Sequence, residues 1–399
     1  MNEIQRLIHE MCPDGVPMVA LGEIGIMTKG SGIQKADFTE KGKPCIHYGQ
    51  VHTRYYLFTQ KAISNIPETL WDKCKKAAPG NLIIATTSED VEACCKSIAW
   101  LGHGEVAVSG DAHIFSHNQD PKYISYLFQT EMFAKQKRLT ATGAKVVRVS
   151  GDAMLKYTFP LPPLPIQQRI VEILDKFTSL VSSLDSEIAL RQKQYEYYRN
   201  KLLSFEEGDA KWVIISDLAD NYTGLTYKPA NVSETGTLVL RSSNIQDSHL
   251  VFEDNVYVQG IQIPQRALVK QDDVLICVRN GSRALIGKCA MIDKASEGMA
   301  FGAFMSILRA KDVNPKYLYY VWQLDSTVKQ YKGDDAAPIN QITSKDFSRI
   351  KVQVPSLDKQ LSIVRTLDTF ESLLTNLKKE RELRQKQYEY YREKLLTFA

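Results

Sequence analysis

The segment GSRALIGKC (Gly281–Cys289) comes nearest in this chain to a phosphate-binding loop. In such a loop, glycine-rich backbone cradles the phosphates, a lysine reaches them and a hydroxyl holds magnesium. Five residues separate these glycines where four are needed, and Cys289 stands where Ser or Thr should be. A structural turn is the expected reading. KGSG (Lys29–Gly32) is too short for a dinucleotide fingerprint and reads as a loop. His9–Glu10 lacks the second histidine of a zinc-protease helix. The seven histidines (His9, His47, His52, His103, His113, His117 and His249) show no ligand spacing with the cysteines. His113 and His117 stand four apart, but in a strand-and-turn context where that interval has no special meaning. There is no Asn-Pro-Pro-Tyr-like tetrapeptide to hold a flipped adenine, and no nuclease set of paired carboxylates and lysine. These residues point to binding rather than catalysis. No catalytic residue, metal site or cofactor is expected in the chain itself.

Composition sets the outer bounds. A chain of 399 residues has room for two or three domains, each with a sizeable core. Its 44% hydrophobic and 24% charged content is that of an ordinary soluble globular protein. A formal charge of +4 permits a nucleic-acid partner without arguing for one. No apolar run approaches membrane-spanning length. The opening MNEIQRLIHEMCPDG has acidic residues and no apolar signal core, so neither secretion nor organelle targeting is expected. Seven cysteines, odd in number and without CxxC spacing, suggest a reduced cytoplasmic chain.

The most informative feature is a repeat. RQKQYEYYR occurs at Arg191–Arg199 and again at Arg384–Arg392, and the match extends to RQKQYEYYRNKLLSF and RQKQYEYYREKLLTF. Upstream, IVEILDKF (Ile170–Phe177) matches IVRTLDTF (Ile363–Phe370), and LPPLP (Leu161–Pro165) falls on VPSLD (Val354–Asp358). PKYISYLFQ (Pro121–Gln129) falls on PKYLYYVWQ (Pro315–Gln323), VALGEI (Val19–Ile24) on VIISDL (Val213–Leu218), and Gly30 on Gly224. The chain is two tandem units, each a variable block followed by a helical one.

The helical blocks are legible from period. In the first copy Leu174, Phe177, Val181, Leu184, Ile188, Arg191, Tyr195, Tyr198, Leu202 and Phe205 alternate at spacings of three and four. Leu367, Phe370, Leu374, Leu377, Arg381, Arg384, Tyr388, Tyr391, Leu395 and Phe398 do so in the second. A heptad seam held this long suggests knobs-into-holes packing. Pro162, Pro163, Pro165 and Pro355 mark where each helix can begin. Each would run about 40 residues, or roughly 60 Å. Two such helices in one chain meet at high effective concentration, which favours an internal pair over a dimer without proving it. Arg191, Arg381 and Arg384 either set register or snorkel to solvent.

The variable blocks read as α+β. GKPCIHYGQV, NLIIATTS and VAVSGDAHIF in the first, and TLVLRSSNI, DDVLICVRNG and ALIGKCAMI in the second, are strands and turns. The helix-compatible stretches are Pro121–Leu139 and Asn314–Tyr331. The resulting domains are 1–160, with a helix over 161–206, and 207–353, with a helix over 354–399.

Two different variable domains, each followed by a near-identical long helix, resemble the specificity subunit of type I restriction–modification systems. The carriers are PLPPLPIQQRIVEILDKF (Pro160–Phe177) followed by RQKQYEYYRNKLLSF, with their second copies; CPDGVPMVALGEI (Cys12–Ile24) and GLTYKP (Gly224–Pro229) also look like this family's domain openings. The second copy departs at Asp358, where the first has Pro165. The resemblance covers essentially the whole chain. It implies two target-recognition domains separated by two long helices that pair as an antiparallel coiled coil, with an internal pseudo-twofold repeat. Each domain would read one half of a bipartite, asymmetric site in double-stranded DNA. Two methyltransferase subunits, carrying S-adenosylmethionine, and restriction motor-nuclease subunits, using ATP, would dock on the chain, which would itself do no chemistry and need no membrane. Helix length would then set the separation of the half-sites.

Under that resemblance, base-reading residues are sought in loops rich in Arg, Lys, Asn, Gln, Ser and Thr. In the first domain they are Lys29, Ser31, Gln34, Lys35, Tyr48, Gln50, Thr53, Arg54, Thr86, Thr87, Ser88, Lys137, Arg138, Thr142 and Lys145. In the second they are Thr223, Tyr227, Arg241, Ser243, Asn244, Arg279, Asn280, Ser282, Arg283, Lys332 and Gln341, the last two within YKGDDAAPINQITSK (Tyr331–Lys345). RNGSR (Arg279–Arg283) is the sharpest candidate, and its bland alternative is a solvated hairpin turn. Lys137 and Lys145 suit phosphate contacts, which position without specifying. Two rivals stand beside this reading: a coiled-coil scaffold spacing two ligand-binding domains, and a recognition region split from a larger restriction–methylation enzyme.

Overall fold

The computed structural model describes residues 3–332 and 341–398, so the stretch 333–340 of the loop Tyr331–Lys345 lies outside the described residues. The chain divides into two compact units, residues 1–185 with 379–399, and residues 186–378. Each unit thus takes one variable block and part of both long helices, rather than a block and its following helix.

In the first unit, strands β1 (Gly25–Lys29), β2 (Lys43–Ile46), β3 (Leu82–Ala85), β4 (Lys96–Trp100), β5 (Val106–Val108) and β6 (Ala112–His117) precede helix α1 (Pro121–Leu127) and the long helix α2 (Leu164–Leu202), of which residues 164–185 belong to this unit. One sheet runs β1-β6-β3-β4 antiparallel, with Phe58–Thr59 parallel to β4 at its edge. A second contains β2 and β5 as a parallel pair, Cys45 opposite Ala107. β3 is buried throughout, Ile83 and Ala85 in the core shared with β2 and β5 and Leu82 and Ile84 in the core shared with α1, as expected for a strand covered on both faces, whereas β6 has both buried and half-buried residues.

The second unit repeats the plan. It has β7 (Ala219–Thr223), β8 (Thr237–Leu240), β9 (Val274–Cys277), β10 (Cys289–Met291), β11 (Ala300–Phe301), β12 (Met305–Ala310), helix α3 (Pro315–Trp322) and residues 357–378 of the long helix α4 (Leu357–Thr397). Its antiparallel sheet runs β7-β12-β9-β10, and β8 and β11 form the parallel pair, Val239 opposite Ala300. In both units the block is closed where it opened. Met18–Ala20 pairs antiparallel with Thr158–Pro160, and Lys211–Ile214 with Lys351–Val354.

Helices α1 and α3 tie each block to a long helix through a polar network made twice. Asp120 and Asn314 cap them by accepting from the N–H groups of residues 122 and 123, or 316 and 317. The buried Gln167 side chain accepts from the Asp120 N–H and donates to the Pro162 carbonyl; Gln360 does the same for Asn314 and Pro355. Tyr126 donates to Asp175 at 2.8 Å and Tyr320 to Asp368 at 2.6 Å. The two helix-compatible stretches are each broken in two. Thr130 caps a new helix at Glu131–Thr140, and in the second unit Asp325–Lys332 follows α3 after a similar break. The expected strand GKPCIHYGQV also ends early. At its end the His47 side chain accepts from the Gly49 N–H and starts the helix Tyr48–Thr53.

The seam residues do pack, antiparallel within each unit. In the first, Phe177 stacks on Tyr391 with centroids 5.3 Å apart, and Arg381 pairs with Asp185 at 2.9 Å. In the second, Tyr198 stacks on Phe370 at 5.4 Å and Tyr195 donates to Glu371 at 3.1 Å. Leu174, Leu367, Tyr195 and Tyr388 are buried, while Leu184, Leu202, Leu377 and Leu395 are half-buried. Leu203 and Leu396, one position on, take the deeper places that the period gave to Leu202 and Leu395. Of the three arginines only Arg381 reaches across; Arg191 and Arg384 are held along their own helices by Glu187 and Glu380. All seven cysteines are buried free thiols. No helix among the described residues is long and apolar enough to cross a membrane.

Candidate nucleic-acid interface

Each unit carries a cleft beside the C-terminal end of its parallel strand pair. In the first unit it measures about 430 Å³ and is lined by Gln34, Lys35, His47, Tyr48, Ser109 and Asp111. In the second it measures about 540 Å³, and its polar and aromatic lining comes from Tyr227, Arg241, Ser243, Arg279, Asn280 and Phe304. Both are polar-edged hollows in a loop surface, which suits recognition by hydrogen bonding more than enclosure of a small substrate.

Of the residues anticipated in the first block, the cleft gathers Gln34, Lys35 and Tyr48. Lys29, Arg54 and Lys145 are exposed elsewhere. Others serve the fold. Ser31 accepts from the Lys75 N–H, and Gln50 accepts from the His47 N–H while donating to Ser64. Thr53 bonds back to the Gly49 carbonyl, and Thr142 to that of Arg148. Thr86 and Thr87 are buried, and Ser88 lies in a two-residue strand paired with Val147. The phosphate role expected of Lys137 is corrected by the structure: the side chain is 4% exposed and its ammonium donates to the carbonyls of Glu92 and Cys94. Arg138 is exposed but lies between Glu92 and Glu131, which it pairs at 2.9 and 2.7 Å.

In the second block the cleft unites Tyr227, Arg241, Ser243, Arg279 and Asn280, drawn from three separate loops. Arg241 is engaged by Asp254 at 2.7 Å. Asn280 spans the RNGSR turn, donating to Ser242 and accepting from the Ser282 N–H. Arg283 turns the other way and donates to the Lys332 carbonyl. Burial, with Arg283 nearby, lowers the Lys332 pKa. Asn244 is fully buried, its amide spent on Val251, Asn255 and the Arg241 N–H, so it is a loop former and not a surface reader. Thr223 and Ser282 are exposed, and Gln341 bridges to Arg279 through backbone.

Sequence reasoning missed His47, Asp111, Asp254 and Phe304. His47 looked like part of a strand, and an apolar Phe304 carries no signal for a polar task. Only the sheet topology brings it beside Arg279. Burial, reinforced by Lys35, holds the His47 imidazole below the usual histidine range.

Comparison with known proteins agrees with this architecture. The type I restriction enzyme EcoR124I/EcoR124II specificity subunit of Escherichia coli is 30% identical over 264 residues, which are 63% of this chain and 65% of that protein. The chain therefore spans 65% of that relative's length in the match. A type I restriction–modification S subunit from M. genitalium shares the fold with a TM-score of 0.57 at 14% identity, covering 95% of this chain and 96% of its own. A chain from a structure of type I R-M complex assembly and conformational transition does so with a TM-score of 0.58 at 17% identity, covering 95% and 97%. The model of the type I restriction modification DNA specificity domain matches residues 13–190 and again 207–385. With both blocks and most of both long helices inside those two matches, the chain belongs to the type I restriction modification DNA specificity domain family.

Proposed function

We propose that this chain is the non-catalytic DNA-recognition subunit of a type I restriction–modification complex. Each variable block reads one half of a bipartite, asymmetric site. The long helices dock two methyltransferase subunits, which carry S-adenosylmethionine, and the ATP-using motor-nuclease subunits join that assembly. The observation that carries the reading is the doubled frame with unlike clefts: one backbone plan used twice, with different side chains where a ligand would lie. A scaffold that only spaced two identical ligands would have no need of that difference. Exposed Lys29, Lys35, Arg54 and Lys145 would contact phosphates, so binding should weaken linearly in log–log terms with added salt.

The test is co-expression with methyltransferase and motor-nuclease subunits of a type I system from the same cell, followed by co-purification and DNA binding across a salt series. Mapping of methylated adenines in cells holding the full system should then return one split sequence. A chain that neither co-purifies with a methyltransferase nor binds DNA in a salt-dependent way would leave the scaffold reading in its place.

A further inference from the structure

The two clefts occupy one position on the shared frame, and the backbone hydrogen bonds around them correspond. Gln50 accepts from the His47 N–H as Asn244 accepts from the Arg241 N–H. Ser31 N–H donates to the Val108 carbonyl as Leu225 N–H does to that of Phe301. Thr86 N–H donates to Asp111 as Val278 N–H does to Phe304. The strand registers agree, with Ile46 opposite Val108 and Leu240 opposite Phe301. This correspondence sets His47 in the place of Arg241, Thr87 in that of Arg279 and Asp111 in that of Phe304. The frame is retained while the side chains facing the cleft change in charge, size and polarity.

Within the second cleft one group is poised and unoccupied. Arg279 is exposed and has no ion-pair partner among the described residues, whereas Arg241 beside it is taken by Asp254. Its guanidinium lies over the Phe304 ring, 5.2 Å from the centroid. Phe304 is itself 58% exposed, so packing does not account for an aromatic residue there. A ring under one face of a guanidinium restrains it and leaves its N–H edge outward. On the cleft wall, Ser243 Oγ and Arg241 Nε are buried atoms without a hydrogen-bond partner among the described residues.

We propose that these paired clefts are the base-reading sites and that Arg279, steadied by Phe304, reads a guanine in the half-site of the second block. The inference rests on the DNA-recognition function proposed above and names its chemistry. A planar fork of donors matches the two acceptors, O6 and N7, that guanine alone presents together in the major groove. Phe304 acts as a positioning residue, through Arg279. In the first block the corresponding places hold Thr87, buried in a strand outside the cleft lining, and Asp111, a carboxylate on the lining, so the first cleft does not select guanine by this route.

The experiment uses the full chain assembled with its methyltransferase subunits and selects from duplex DNA randomised in both half-sites. Wild type should enrich guanine at one position of the second half-site. Arg279→Ala should lower that enrichment by roughly 5- to 150-fold, leaving the first half-site unchanged, and Arg279→Lys, which keeps donors for O6 and N7 but loses the planar fork, should lower it less. Phe304→Ala should relax the same position partially and add nothing in the Arg279→Ala background. Both side chains are exposed, and a thermal melt of each variant confirms the fold. An Arg279→Ala protein with an unaltered second half-site, or a wild-type complex that enriches a base other than guanine at the position Arg279→Ala relaxes, overturns the inference while recognition stands. A wild-type complex that enriches no sequence overturns recognition as well.

Discussion

Gly224 is a residue whose type is dictated by its neighbours. A Cβ there would lie 2.2 Å from the Gly302 carbonyl oxygen and 2.4 Å from that of Phe301, and Gly30 meets Ser109 and Val108 in the same way. The glycine match seen in the sequence is therefore a close approach of two backbones at the cleft rim. Gly224→Ala should destabilise the protein by about 1–3 kcal/mol, read as a lower denaturation midpoint at unchanged slope; an unmoved midpoint would refute the close-approach account. Histidines supply a second prediction at this scale. Burial holds His47, His113 and His117 below the usual histidine range, His117 at about 4. The unfolded chain titrates these groups near pH 6.5, so between about 6.5 and 4 it binds more protons than the folded one. Stability is thus fully present above that window and declines as pH falls through it. His117→Asn should lose less between pH 7.5 and 5 than wild type in urea titrations. Equal losses would show that His117 is not coupled to folding.

At the scale of elements, the repeated RQKQYEYYR resolves into tyrosines with different tasks. Tyr388 is 1% exposed and donates to Gln129, whereas Tyr391 is 37% exposed and contributes a stacked face to Phe177. Tyr388→Ala should cost about 3–5 kcal/mol, as for other large buried aromatics, and Tyr391→Ala distinctly less. The reverse order in chemical denaturation would overturn this assignment of the seam. The helices were legible because period three-and-four is a local property, visible without knowing the partner. Strands such as β3 and β6 were legible for the same reason, as short apolar runs between turn residues. Asp111 and Phe304 were not, because what makes them matter is a parallel pairing between segments some 60 residues apart, and Asp254 was not, because only the fold of the intervening loop returns it to Arg241. Lys137 and Asn244 misled in the opposite direction. Polar type suggested surface, but each has its buried hydrogen-bonding groups met by backbone. Composition alone cannot show that.

For the molecule as a whole, the frame and its contents are separable. Gln167 and Gln360, Tyr126 and Tyr320, Asp175 and Asp368 build one network twice, away from either cleft. Gln360→Ala leaves the Asn314 N–H and Pro355 carbonyl without their partner, and should cost about 1–3 kcal/mol. It should do so without altering which sequence is bound; a changed half-site in the selection experiment would mean that frame and contents are coupled. The strand clasps carry this separation further. Lys211 lies opposite Val354, and Met18 opposite Pro160, so everything between those residues enters and leaves through neighbouring strands. A block so arranged is a cassette with adjacent pins. Cut at those two points, it can be replaced by another of the same topology without moving the helix that follows, and such chimaeras would offer new addresses on an unchanged chassis.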